Sequence, residues 1–156
     1  MKFSVVLAVK DIKAARVFYE ELLGLKVVDD FGLCVIFECG LALQQNFGWL
    51  TGLLDCEIKD MENNCEICFE ELNFDRLVQK IKAYPGVRLL HDVLEQPWGQ
   101  RVIRFYDLDN HLVELGEDMK YVIERFISQG MVAEDIAEKM DINAEVKHRM
   151  LKMLSE

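Results

Sequence analysis

The 156-residue sequence has no apolar run close to the ~20 residues of a membrane-spanning helix, so no such helix is predicted. Its first residues, MKFSVV, lead into Lys10 and Asp11 without the apolar core and cleavage site of a secretory signal. The five cysteines are an odd number, which favours reduced thiols over a disulfide framework. We therefore expect a cytoplasmic protein.

Positive charge is also scarce. Residues 1–118 contain 12 Lys and Arg against 21 Asp and Glu, a net charge of −9, and residues 119–156 contain 6 against 7, a net charge of −1. An acidic surface repels phosphate backbones, so we expect no nucleic-acid partner and a cationic or neutral ligand. The sequence also lacks a glycine-rich phosphate loop, a Gly-x-Ser-x-Gly elbow and a basic aromatic patch.

What the sequence does contain is one internal repeat. A shift of 62 residues places Ser4 on Glu66, and the closing segments of the two halves match at a shift of 70, which places Gln44 on Glu114. Self-similarity of this length predicts two copies of one supersecondary unit.

Each half predicts a strand, an amphipathic helix and three more strands. The first helix has Asp11 as its N-cap and Gly24 as its stop. Alternation and β-branched residues predict strands at residues 4–9, 25–30, 33–39 and 41–45 and, in the second half, at 65–72, 87–94, 100–106 and 112–116. The second helix is predicted at residues 74–84.

These elements predict a domain at residues 1–118, with modules at 1–46 and 64–118 and a linker at 47–63. A small all-helical extension, residues 119–156, follows it. Its helices are predicted at residues 121–128, 133–140 and 144–154.

Two βαβββ modules resemble the vicinal oxygen chelate superfamily, which includes glyoxalases, bleomycin-resistance proteins, fosfomycin-resistance proteins and extradiol dioxygenases. The matching segments are VKDIKAARVFYEELLGL (residues 9–25) and PWGQRVIRFYDLDNHLVE (residues 97–114). Leu108 and Asn110 replace the proline and glycine of the family's Asp-Pro-Asp-Gly hairpin. The resemblance implies an α+β fold in which the paired modules form a curved, partly closed mixed sheet around a ligand cavity. Because one fold hosts many functions, it does not fix the chemistry.

In metal-using relatives each module supplies one ligand from its first strand and one from its last. The positions matched by the resemblance are Ser4, Gln44, Glu66 and Glu114, with Glu66 and Glu114 as the candidate catalytic carboxylates. None is a histidine, and a serine hydroxyl is a poor ligand. Oxygen ligands suit Mg²⁺ or Mn²⁺ better than Zn²⁺ or Ni²⁺. The expected cofactor is therefore either none or one divalent ion (Mn, Mg, Ni or Zn).

Arg104 bears on that choice. If the hairpin loop is residues 108–110, with Asn110 at positive φ, Arg104 lies directly across the ladder from Glu114. A guanidinium there would replace the charge of a metal, because a buried carboxylate needs a partner. A four-residue loop would place Ile103 there instead. We favour the metal-free alternative.

The candidate ligand-binding residues are an arginine and a group of ring-bearing side chains. Trp98 lies in a loop at a strand entrance, and Trp49 lies in the linker. His91 is on the strand that would face the pocket. The full set is Trp49, His91, Trp98, Arg104 and Tyr106.

Two further signals have structural interpretations. Cys65 and Cys68 form a single CxxC on a strand, where positions three apart face opposite sides, so we expect buried thiols rather than a zinc or redox site. His111 has the opposite parity to Glu114, so we expect a packing or surface role for it.

The segment at residues 130–151 resembles a helix-turn-helix, and the candidate DNA-reading residues at its end are Lys147, Arg149 and Lys152. Its net negative charge argues against DNA, so we favour a helical extension that docks on the domain or on a second protomer.

Three functions follow. We favour a metal-poor or metal-free protein that binds a small organic molecule in an acidic, aromatic-lined cavity. The first alternative is a divalent-metal-dependent lyase or isomerase of glyoxalase type, in which Glu66 or Glu114 ligates the metal or moves a proton. The second is a ligand-responsive regulator that uses the helical tail. The resemblance also implies a homodimer, since relatives often pair modules between chains.

Overall fold

The computed structural model describes residues 3–141, and the chain forms two successive βαβββ modules. The first module begins with strand β1 and helix α1 and closes with three strands. Its elements are β1 (Val5–Val9), α1 (Ile12–Leu23), β2 (Val27–Asp30), β3 (Cys34–Phe37) and β4 (Leu41–Gln45). Its four strands lie in the order β1-β4-β3-β2, with β1 parallel to β4.

The linker contains two short helical segments that the sequence did not predict. Helix α2 (Phe47–Thr51) and a 3₁₀ turn (Asp55–Glu57) lie within it. Asn46, the N-cap of α2, and Gly52, its C-cap, have positive φ. Left-handed caps at both ends keep this helix short, and they are the sites where Asn and Gly are best tolerated.

The second module repeats the first with the same strand order, β5-β8-β7-β6. Its elements are β5 (Ile67–Glu71), α3 (Phe74–Ala83), β6 (Arg88–Glu95), β7 (Arg101–Tyr106) and β8 (Leu112–Glu117). The fold is therefore α+β, with two mixed four-stranded sheets, and the predicted architecture is confirmed.

Local sequence explains where helix α1 begins and ends. The Asp11 carboxylate accepts hydrogen bonds from the backbone N–H groups of Lys13 and Ala14, which have no partner within the helix. At the other end Gly24 has φ 71°, and its N–H donates back to Tyr19 and Glu20 carbonyls. Both predicted caps are confirmed.

The two modules share one hydrophobic core. Helices α1 and α3 pack together. Helix α1 covers one face of the first sheet, and α3 covers one face of the second. Phe18 and Tyr19 of α1 are wholly buried and lie in the same cluster as Ile103 and Phe105 of β7. Because odd-numbered residues of β7 face this core, even-numbered ones face the opposite side, which we call the open face.

The β7–β8 hairpin has the predicted register. Arg104 lies directly across from Glu114, and Asn110 has φ 68° at the end of the turn. The Asp107 carboxylate fixes the turn, since it accepts from the N–H groups of Asp109 and His111 and from the Tyr19 hydroxyl. The His111 ring also contacts Asp107, at 2.8 Å, so the expected packing role of His111 is confirmed.

The ladders correct the predicted match between the modules. Helices α1 and α3 begin 62 residues apart, which keeps Ser4 matched to Glu66. In the parallel ladders, however, Val6 pairs with Ala42 where Cys68 pairs with Glu114. Ala42 is therefore the structural counterpart of Glu114, and the predicted match to Gln44 is two residues out of register.

After β8 the chain becomes helical. Helix α4 (Met119–Ser128) is capped by Asp118, and helix α5 (Ala133–Lys139) follows. Together they bury a small second cluster around Phe126 and Ile136. The third predicted helix, with Lys147, Arg149 and Lys152, lies outside the described residues. Within residues 3–141, no helix has the length and apolarity needed to cross a membrane.

Candidate functional site

Three potential ligand atoms converge on the open face of the second sheet. Glu66 immediately precedes β5, Cys68 is two residues further along it, and Glu114 lies beside Cys68 in the parallel ladder of β8. One ligand atom from each lies within 4.8 Å of the others. Residues 66 and 68 face the same side because strand side chains alternate. We call Glu66, Cys68 and Glu114 the acidic cluster.

The guanidinium of Arg104 joins both carboxylates of the acidic cluster. Its Nε donates to Glu66 Oε2 at 2.8 Å, and its Nη2 forms an ion pair with Glu114 Oε2. The side chains of Glu66, Glu114 and Arg104 are 32%, 14% and 22% exposed, respectively. Water therefore screens the two ion pairs only in part. Both carboxylates raise the pKa of Arg104, so the guanidinium remains charged.

Crowded negative charge changes the protonation of the cluster. Burial raises the pKa of Glu114 above its ordinary value and Glu66 adds to that rise, whereas Arg104 opposes both. Partial desolvation, followed by the charges of Glu66 and Glu114, raises the pKa of Cys68 to about 11. Cys68 is therefore a neutral thiol at physiological pH, although its position beside two carboxylates would otherwise suit a metal ligand.

His91 extends the network on the far side of Arg104. It lies opposite Arg104 in the β6–β7 ladder, with Nε2 3.4 Å from Arg104 Nη1 and Nδ1 2.7 Å from the Asp92 carbonyl. A carbonyl only accepts, so the hydrogen-bond pattern assigns the proton to Nδ1 and leaves Nε2 to accept from Arg104. His91 thus places a third potential acceptor beside the guanidinium.

As folded, the acidic cluster is a poor fit for a divalent ion. An ion bound by both carboxylates would have to displace Arg104, and the third donor is a thiol that must first lose a proton at a pKa of about 11. Breaking the two charge-assisted hydrogen bonds costs on the order of 1–3 kcal/mol at a partly screened site. The cluster therefore offers an acidic site with its positive charge already supplied by the chain.

The first module contributes little to this site. Ser4 is exposed and precedes β1, and Gln44 is buried in β4, where its side-chain amide donates to the Gln45 carbonyl at 2.6 Å. Within residues 3–141, no hydrogen bond or ion pair joins Ser4 or Gln44 to the acidic cluster. Of the four positions that the resemblance suggested, the structure brings Glu66 and Glu114 together in the second module, whereas Ser4 and Gln44 belong to the first.

The aromatic candidates lie in different environments. Tyr106 is on the open face but is buried, because its hydroxyl donates to Asn63 of the linker and Arg88 stacks 4.0 Å above its ring. Trp49, on α2, is 80% exposed. Trp98 is 38% exposed and donates its indole N–H to Gln100 Oε1 at 3.0 Å.

Sequence reasoning missed two features of the site. Cys65 and Cys68 are exposed rather than buried, and Cys68 belongs to the acidic cluster. The parity of β5 could have shown the second point, since Glu66 and Cys68 are two residues apart. Gln100 was also missed, and it lies over Gly116, where a Cβ added to the glycine would lie 2.7 Å from Gln100 Nε2.

Two cavities lie beneath the linker rather than at the acidic cluster. One, of about 320 Å³, is bordered by Lys10, Phe47, Asp55, Asp60 and Asp109, and a second, of about 200 Å³, lies next to it. The larger is at the lower end of the range for small-molecule pockets. Three aspartates border it, and its aromatic lining residue is Phe47 rather than either tryptophan.

The comparisons with known proteins agree with the paired modules. Residues 2–120 match the family model described as a glyoxalase-like domain, and the chain belongs to that family. No curated protein matches the sequence. The family and the fold place it in the glyoxalase/bleomycin-resistance/dioxygenase superfamily, so the predicted resemblance is confirmed.

Several solved structures share the fold. A protein of unknown function from Agrobacterium tumefaciens str. C58 is 36% identical, with a TM-score of 0.66 over 76% of this chain and 94% of that one. A glyoxalase-related enzyme from Fulvimarina pelagi is 19% identical (TM-score 0.64; 76% and 88% covered). A genomically encoded fosfomycin resistance protein from Listeria monocytogenes is 23% identical (TM-score 0.54; 76% and 93% covered). At this identity, the last two comparisons show the fold alone.

Proposed function

We propose that this chain is a metal-free member of its superfamily that binds a small organic molecule on the open face of the second module, around Arg104. The observation that carries the proposal is the pairing of one guanidinium with both carboxylates of the acidic cluster. In metal-using relatives that position would hold the cation. Here the arginine supplies the charge permanently, because its pKa is raised further by its partners.

The chemistry of the cluster favours a cationic or neutral ligand. Glu66 and Glu114 carry two negative charges when ionised, against one positive charge on Arg104. A bound cation would interact favourably with the ionised carboxylate of Glu114 and would lower its raised pKa. An anionic ligand, in contrast, would be repelled by two carboxylates and attracted by only one guanidinium.

Metal stoichiometry tests the metal-free part of the proposal. Parent protein is incubated with Mn²⁺, Mg²⁺, Ni²⁺ and Zn²⁺, desalted and assayed by mass spectrometry of the metals, beside Arg104→Met and Arg88→Met. Arg88→Met is the matched control, because Arg88 stacks on Tyr106 and has no contact with the cluster. We expect about one ion per chain only in Arg104→Met, whose carboxylates are released. One ion per parent chain, lost in Glu114→Gln, would refute the proposal.

Ligand binding is tested separately with planar aromatic cations and their neutral and anionic analogues. We expect the cations to raise the thermal unfolding midpoint of the parent protein, with a smaller effect at high salt and in Glu114→Gln. Arg76→Gln, which changes a charge on helix α3, is the control. A preference for the anionic analogues would contradict the charge argument.

The alternative is a divalent-metal-dependent lyase or isomerase of glyoxalase type, with Glu66 and Glu114 as ligands or proton carriers. The spacing of three ligand atoms within 4.8 Å favours it. Arg104 disfavours it. Retention of an ion by the parent protein in the stoichiometry experiment is the result that would select it.

We also propose a homodimer and a cytoplasmic location. β1 is an edge strand of its sheet, and Phe3, Val5 and Val6 expose 83%, 41% and 40% of their surfaces there. Such an edge is usually covered or charged. Sedimentation of parent and Val6→Lys proteins tests the homodimer, since a single monomeric mass for both would contradict a dimer through β1.

The proposed cytoplasmic location is supported by the cysteines. All five are free thiols, which favours a reducing compartment.

A further inference from the structure

The loop that carries Trp98 is held closed at its base. Gln96 donates its N–H to the Gln100 carbonyl, and Gly99 donates its N–H to the Gln96 carbonyl, each at 2.8 Å. Gly99 has φ 90°, a conformation in which L side chains are strained. The loop therefore presents Trp98 from a tight turn at the start of β7.

Helix α4 packs directly on that turn. A Cβ added to Gly99 would lie 2.1 Å from Cζ of Phe126, so the ring fills the space that any other residue at position 99 would need. Next to it, Arg125 Nη2 donates to the Gly99 carbonyl at 2.6 Å. The same nitrogen contacts Oε2 of Glu117, a wholly buried carboxylate, at 3.2 Å.

Hydrogen bonds through Gln100 also connect the turn to the open face. Trp98 donates to Gln100 Oε1, and Gln100 Nε2 donates to the Glu117 carbonyl at 2.9 Å. Gln100 has the parity of Val102 and Arg104 and lies over Gly116, next to Glu114 on the same face. Gln100 and Arg104 are four positions apart along the chain, which is about 13 Å in extended backbone.

We propose that Phe126 and Arg125 are positioning residues, and that helix α4 fixes Trp98 against Gln100 at the edge of the open face. The family match ends at residue 120, so this support comes from a segment beyond the matched domain. The consequence for ligand binding rests on the proposed function. The positioning itself does not, because it is measured without a ligand.

Trp98 fluorescence tests the positioning. In a Trp49→Phe background Trp98 is the only tryptophan. We expect Phe126→Ala and Arg125→Met to shift its emission to longer wavelength and to raise acrylamide quenching about twofold, because Trp98 is 38% exposed and full release would raise its accessible surface to at most about 2.6 times the present value. Val122→Ala and Ile136→Ala change the same small core but keep the Phe126 ring that fills the space beside Gly99, and should leave the emission unchanged.

A double-mutant cycle separates positioning from general loss of structure. Gly99→Ala introduces both backbone strain and the clash with Phe126, whereas in a Phe126→Leu background only the strain remains. We expect the two substitutions to be non-additive in the Trp98 quenching constant. Additive effects, or equal shifts in Phe126→Ala and the Val122→Ala control, would overturn the proposal. If Phe126→Ala does not fold, the cycle with Phe126→Leu and the Arg125→Met variant decide it.

Discussion

The two modules have the same strand order, yet their open faces differ at every matched position. Ser4, Val6, Ile36 and Ala42 of the first module correspond to Glu66, Cys68, Arg104 and Glu114 of the second. The first set contains one hydroxyl and three apolar side chains, whereas the second contains two carboxylates, a thiol and a guanidinium. At these four positions the second copy therefore carries all the charged side chains, and the first copy carries none.

On the opposite side of the sheets the modules are equivalent, because they share a core. Phe18→Ala in α1 should lower the free energy of unfolding by about 3–5 kcal/mol, and Ile81→Ala in α3 by about 2–5 kcal/mol. Both side chains are wholly buried in the same cluster. Urea denaturation followed by circular dichroism measures this. Separate transitions for the two modules would show that the core is not shared.

The thiol of the second module should be slow to react. With a pKa of about 11 against the ordinary 9.0, Cys68 has about a hundredfold less thiolate at pH 8 than an unperturbed cysteine. Iodoacetamide labelling followed by peptide mass spectrometry should therefore find Cys68 modified slowly, and faster in Glu114→Gln. Cys68 labelling that does not respond to loss of the Glu114 charge would contradict the electrostatic cause.

Arg104→Met removes the positive charge from the second module and should cost about 1–3 kcal/mol at pH 7. The matched change in the first module, Ile36→Met, should cost less than about 1.5 kcal/mol. The Glu114 pKa is already raised in the folded state, so its contribution to stability falls as pH rises above 4.5, and loss of Arg104 should extend this fall.

Unfolding measurements at pH 5 and pH 7 check that sign. We expect the difference between Arg104→Met and the parent protein to be smaller at pH 5, where Glu114 is closer to neutral. An equal difference at the two pH values would mean that Arg104 acts mainly by packing.

The smallest expected effect is at Ser4. Because Ser4 is exposed and outside β1, Ser4→Ala should change the free energy of unfolding by less than about 0.5 kcal/mol and leave Cys68 labelling unchanged. Glu66→Ala, its counterpart, should accelerate Cys68 labelling, since Glu66 contributes to the raised thiol pKa. Equal effects of the two substitutions would remove the contrast between the modules.

The sequence predicted those parts of the fold that depend on neighbouring residues. Asp11, Gly24 and Asn110 are local signals, and each has the expected conformation. The three-residue loop placed Arg104 opposite Glu114 correctly. Alternation along β5 also predicts that Glu66 and Cys68 lie on one face, but the CxxC spacing led to Cys68 being interpreted with Cys65 instead.

The register between modules could not be predicted in the same way. In the first module the paired residues Ile36 and Ala42 are six positions apart in sequence. In the second, the paired residues Arg104 and Glu114 are ten positions apart, because that hairpin is longer. A constant shift of 70 therefore matched Gln44 to Glu114 and missed Ala42. The contact of Phe126 with Gly99 joins residues 27 positions apart, and no local pattern marks it.

Gly116 leaves room for Gln100 at the rim of the open face. Any side chain at this position would displace Gln100, and with Gln100 would go the acceptor that holds Trp98. One added methyl group would thus widen the rim of the face without altering the Arg104–Glu114 pairing two residues away. A single carbon atom at position 116 therefore decides whether Gln100 and the indole that it holds keep their places.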